Sequence, residues 1–155
     1  MKRVIVGAVL LAVSVAWGLA GTARGQAPQS STQDQQFVRQ AASDGLAEVA
    51  LGHMAAERAS NPAVQSFGQR MVTDHTAANR ELTALAQAKN ISISTGPDPQ
   101  HQQTADTLAD MHGASFDREY MRHMVTDHEK AVQLFTKAAK ESQEAEIRAF
   151  AAKTL

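Results

Sequence analysis

From Asp34 to Ala59 the chain runs without proline, and small or apolar residues return every three or four positions. Phe37, Ala41, Gly45, Gly52, Ala55 and Ala59 fall on one face at ~100° per residue, with Glu48 at its middle. This pattern predicts a helix over 34–59. Ser60-Asn61-Pro62 then supplies a stop, a capping side chain and a proline suited to a first turn, so a second helix over 62–89 folds back on the first. Its inner stripe is Phe67, Met71, Asp74, Ala78, Leu82 and Leu85. Residues 90–99 combine isoleucines, Gly96 and two prolines, which end that helix and open a crossover. A short helix over 100–112 follows, broken at Gly113. A long helix over 115–141 then turns Phe116, Tyr120, Met124, Asp127, Ala131, Leu134, Phe135 and Ala138 inward, and a last helix over 144–155 carries Ile147 and Phe150. No stretch alternates with period two, so no sheet is expected.

Two self-similarities organise these helices. Met71-Val72-Thr73-Asp74-His75 returns unchanged as Met124-Val125-Thr126-Asp127-His128. At an offset of 83 the first hairpin also overlays the third long helix and its successor, pairing Phe37 with Tyr120, Asp44 with Asp127, Leu51 with Leu134, Val64 with Ile147 and Phe67 with Phe150. Two similar hairpins joined by a long crossover describe an all-α, ferritin-like four-helix bundle in which each hairpin supplies half of a central site. By that overlay the last helix is expected to be truncated, with about 12 residues where its counterpart has about 28.

Residues 1–25 read as a secretory signal peptide: Lys2 and Arg3 precede an uncharged run from Val4 to Ala20, and Ala23-Arg24-Gly25 is a small-x-small cleavage pattern. Cleavage near Gly25 would release a chain without a transmembrane span into the periplasm or cell envelope, beginning with a polar lead-in over 26–33. The 155 residues fit one domain, 34–155, after this leader. The absence of cysteine excludes disulfide scaffolds, thiol catalysis and thiolate metal sites. A net charge of -1 without a run of Lys or Arg argues against a nucleic-acid partner.

Any metal must therefore be held by histidine and carboxylate. Glu48 on the apolar face of the first helix is costly unless it is paired or metal-bound. Asp74, His75, Asp127 and His128 flank the inner stripes of two further helices, and with Glu48 they are the ligand candidates, Asp44 and Asp117 ranking second. This set suits iron, manganese, zinc or copper. The Glu-x-x-His signature of di-iron bundles is missing, since Val72 and Val125 stand three before the two histidines. The competing reading makes the same side chains an interhelical network of hydrogen bonds and ion pairs. His53 is expected in solvent, and His101, His112 and His123 in loops or on the surface. The scattered methionines read as packing.

The segments Phe37 to Glu48, Ala59 to Val64, Arg70 to His75, Phe116-Asp-Arg-Glu-Tyr120 and Asp127 to Ala131 resemble the exported bacterial family called domain of unknown function 4142, often labelled as outer membrane proteins. The resemblance implies a ferritin-like helical fold and export, and no activity. It also implies a further His-bearing helix after residues 153–155. The expectation is an exported, non-catalytic helical bundle at the envelope, with a metal-binding or redox bundle as the alternative. Its expected partner is an envelope protein or a second copy, docked in a groove along Phe67, Met71, Phe135 and Ala138.

Overall fold

The computed structural model describes residues 30–155, so the expected signal peptide and the first part of the lead-in lie outside the described residues. The described residues form five helices: α1 (Thr32–Arg58), α2 (Pro62–Ala88), α3 (Pro99–Ala109), α4 (Gly113–Glu141) and α5 (Ala145–Thr154). The fold is all-α, and no strand occurs among the described residues. The helix starts follow from their caps. Ser31 Oγ accepts the amide of Asp34 at 3.1 Å, which starts α1 inside the expected lead-in. Asn61 Oδ1 accepts Ala63 N–H ahead of Pro62, and Asp98 Oδ1 accepts His101 N–H ahead of Pro99. Gly113 opens α4 at φ +58°, a left-handed conformation that glycine adopts without strain.

α1 and α2 form one hairpin, α4 and α5 the other, and α1 meets α4 between them. The α1–α2 contact is close because Gly52 and Gly68 face each other; a Cβ on Gly68 would stand 2.7 Å from the Gly52 carbonyl oxygen. Two apolar clusters occupy opposite ends of the bundle. One gathers Phe37, Val38, Leu82, Ile91, Ile147 and Phe150, and the other Leu51, Val64, Leu108, Phe116, Tyr120 and Met124. Along α1 the first takes residues 37–42 and the second residues 51–59, so Asp44, Gly45 and Glu48 fall between them.

The offset of 83 holds in three dimensions. The residues that end α1 and α4, Ala59 and Ser142, share one backbone conformation (φ -59°, ψ 141° and φ -59°, ψ 138°). Asp117, at the start of α4, accepts Ser60 N–H at 2.9 Å, Asn61 N–H at 2.9 Å and the Ser60 hydroxyl at 2.5 Å. Asp34, 83 positions earlier, does the same at the other turn, accepting the Ser142 hydroxyl and the amides of Gln143 and Glu144. Each hairpin's turn is thus fastened by the first helix of the other hairpin.

The groove expected along Phe67, Met71, Phe135 and Ala138 is open in part: Phe135 lines a cleft together with Leu82, Phe150 and Leu155. Met71 and Ala138 are buried, and Phe135 packs edge-on against Phe37 and beside Phe150 at ring separations of 5.1 and 6.1 Å. Among the described residues the exposed large apolar side chains are Val125, Val132 and Leu155. Among the described residues no helix is long and apolar enough to cross a membrane.

Candidate metal centre

A cleft of about 520 Å³ opens where the two clusters leave α1 uncovered. Its floor is Glu48, 6% exposed, and its walls carry His75 from α2, Asp127 and His128 from α4, and Asp44 one turn back on α1. The repeated pentapeptide accounts for the two histidines: Met71 and Met124 anchor in the core, and the histidine four residues later on each helix faces the cleft. The His75 and His128 rings meet edge to face with centroids 5.8 Å apart. With a metal–nitrogen bond of about 2.1 Å a ring centre lies about 3.2 Å from the ion, so two imidazoles on one ion span up to about 6.4 Å. The observed separation falls inside that reach, but the ligand atoms of Glu48, His75 and His128 do not all lie within 4.8 Å of one another, so the side chains would have to draw together around an ion.

His128 Nδ1 lies 2.8 Å from the Met124 carbonyl oxygen. A carbonyl can only accept, so Nδ1 carries the hydrogen, and in the neutral ring the lone pair is then on Nε2, the atom left to ligate. Glu48 Oε1 is 3.8 Å from the same Nδ1. Glu48 Oε2 and the Tyr120 hydroxyl are both buried and make no hydrogen bond among the described residues. Burial pushes Glu48 up to about 8, and the charges of Asp127 and Asp44 add to the effect. Burial, and then Glu48, raise Tyr120. His75 is lowered by burial and by His128, against a smaller opposing effect of Asp74, which favours the neutral, ligating imidazole.

The remaining expected ligands are placed differently. Asp74 shows 55% of its side chain to solvent and pairs with Arg70 at 3.2 Å, because the inner column of α2 runs through Met71, His75 and Leu82 and leaves Asp74 at the cleft's rim. Asp127 is 18% exposed and bridged to Lys130 at 3.0 Å. Asp117 lies away from the cleft, with its carboxylate taken up by Ser60 and Asn61; the Ser60 hydroxyl, then the two amides, hold it below the usual carboxylate range.

His101, expected in a loop or on the surface, instead sits on the first turn of α3 with 16% of its side chain exposed. Its Nε2 is 3.8 Å from Asp44 and its Nδ1 3.1 Å from Asp98. One ligand atom from each of Asp44, Asp98 and His101 lies within 4.8 Å of the others. Asp98-Pro99 was the available signal: a capping aspartate before a first-turn proline puts His101 beside the cap. Nothing in the local pattern indicates that α1 supplies the third group.

The family model described as "Domain of unknown function (DUF4142)" matches residues 19–155. The chain belongs to this family. The DUF4142 description assigns no chemistry. A solved structure, the crystal structure of a DUF305 fragment from Deinococcus radiodurans, is similar to it at a TM-score of 0.71 and 17% identity, covering 82% of this chain and 88% of that one. At that identity the likeness shows the helical fold alone. No curated protein matches the chain.

Proposed function

We propose that this DUF4142 protein is an exported helical bundle that binds one divalent first-row metal ion in its central cleft, through Glu48, His75 and His128. The observation that carries this reading is Glu48, whose buried Oε2 makes no hydrogen bond while the His128 ring stands 3.8 Å from its Oε1 and the His75 ring meets that of His128 in the same cleft. A carboxylate in such a place costs several kcal/mol of desolvation, on the order of 3, unless a proton or a cation compensates it. Two neutral histidines and one carboxylate form a ligand set suited to manganese, iron or zinc, and copper binds the same donors tightly. Asp127 adds negative charge at the opposite wall. Export rests on the charge and apolar pattern of residues 1–25.

Elemental mass spectrometry of the untagged protein tests the cation site, beside a variant carrying both His75→Ala and His128→Ala. Near-stoichiometric metal in the parent and at least a tenfold loss in the variant is the expected result. Failure to retain iron, manganese, zinc or copper after reconstitution would sink the proposal.

A further inference from the structure

We propose a second divalent-cation site in the same cleft, formed by Asp44, Asp98 and His101, which pins the crossover to α1. It shares none of its ligands with the Glu48 site. Three ligand atoms, two from the first turn of α3 and its cap and one from α1, already lie within 4.8 Å of one another. Ligands around one ion at about 2.1 Å stand about 3 to 4.2 Å apart, so each gap needs to close by less than about 1 Å.

The local hydrogen bonds leave donors for an ion. Asp98 Oδ1 is engaged by the His101 amide at 3.0 Å, but Oδ2 meets only the Ser43 hydroxyl, at 3.5 Å. Asp44 Oδ1 accepts Gln40 Nε2 at 2.7 Å, and no hydrogen bond engages its Oδ2 among the described residues. His101 Nδ1 is buried and, although 3.1 Å from Asp98, makes no aligned hydrogen bond.

The charge of the cleft points the same way. Its described lining holds five carboxylates, Asp44, Glu48, Asp74, Asp98 and Asp127, against the single ammonium of Lys130. Glu48, nine-tenths buried and without a hydrogen bond at Oε2, stands one turn from Asp44 on α1. One divalent ion at Glu48 leaves this excess partly uncompensated, and a second histidine-carboxylate group is assembled around Asp44, one turn away on α1.

Binding at this site would join α1 to a segment that crosses from one hairpin to the other, residues 89–98. Zinc titration of the metal-free full chain, followed by calorimetry and by hydrogen exchange of residues 91–98, tests it. The expected result is two equivalents of zinc, with slower exchange of the crossover when both are bound. Asp98→Asn keeps the cap acceptor for the His101 amide and removes the charge; it and His101→Gln are each expected to lose one equivalent and the exchange protection. Asp44→Asn, which leaves the α3 cap untouched, is expected to do the same. The equivalent that remains should be the one removed by His75→Ala with His128→Ala. One equivalent lost only in the His75 and His128 variant overturns the second site and leaves the first. One equivalent lost only in the Asp98 and His101 variants does the reverse. Binding that none of the variants changes overturns both.

Discussion

Glu48 shows how one side chain can make the same protein more or less stable with pH. Its unfolded-state value is 4.5 and its folded value about 8, set by burial and by the charges of Asp127 and Asp44, with His128, His75 and Tyr120 as the other titratable neighbours. Between those two values the unfolded chain has given up its proton and the folded chain retains it. Metal-free stability from this group therefore falls as pH rises through the window, by on the order of 3 kcal/mol at pH 7. Glu48→Gln removes the penalty, so urea denaturation in chelator should find the variant more stable than the parent at pH 8 and nearly equal to it at pH 4.5. Equal pH slopes in the two proteins would rule this out. Glu48 was legible from sequence because a carboxylate in the middle of a stripe of Ala and Gly breaks a regular pattern. Asp74 misled because Asp74 and His75 are adjacent, and ~100° of rotation separates a residue facing the cleft from one at its rim. His101 was missed for a different reason: its partner Asp44 is 57 positions away, and helical periodicity carries no information across that distance.

Among the elements, the α1–α2 pair depends most on small residues. A Cβ on Gly68 would meet backbone, the Gly52 carbonyl oxygen at 2.7 Å, and neither helix can move without disturbing the clusters at both ends. Overpacking of this kind costs about 1–3 kcal/mol, offset by roughly 1 kcal/mol of helix propensity gained on replacing Gly. Gly68→Ala should therefore lose up to about 2 kcal/mol in a denaturant titration. Gly45→Ala serves as the contrast. There the added carbon meets the end of the Asn79 side chain, which can swing away, so the change should be near neutral or stabilising. The helices themselves were readable because each long one has a proline-free interior, and α1 and α2 also have a capping side chain at their start, whereas α4 opens at Gly113 without one. α3 ends at Ala109, before the expected 112, because Asp110 to His112 form the turn that leads into Gly113. Sequence periodicity could not show that Phe135 would pack against Phe37 and Phe150, since those rings arrive from two other helices.

At the scale of the whole molecule, Asp34 and Asp117 join the hairpins at opposite ends. α1 separates them by about 35–40 Å, from 1.5 Å per residue. Effects at such a distance should add, so Asp34→Ala and Asp117→Ala should each lower the melting temperature by several degrees and the double variant by about the sum. A double variant no worse than either single one would show that the two turns are not independent fasteners. For Asp117 the sign with pH is opposite to that of Glu48. Its carboxylate lies below the usual 3.8, so its contribution is present above that value and is lost as acid protonates it.

That exchange of aspartates is what an isologous dimer does between two subunits: a contact made by the first on the second is returned by the second on the first. Here both partners sit on one chain, and the same offset of 83 relates Asp44 to Asp127, which both line the cleft. Glu48 has no such counterpart, because the position 83 residues later is Ala131, which also lines the cleft. A dimer of identical hairpins would be bound to present two buried carboxylates to each other or none at all. A single chain is free to carry one, and the asymmetry at that pair gives the cleft a distinct floor and roof.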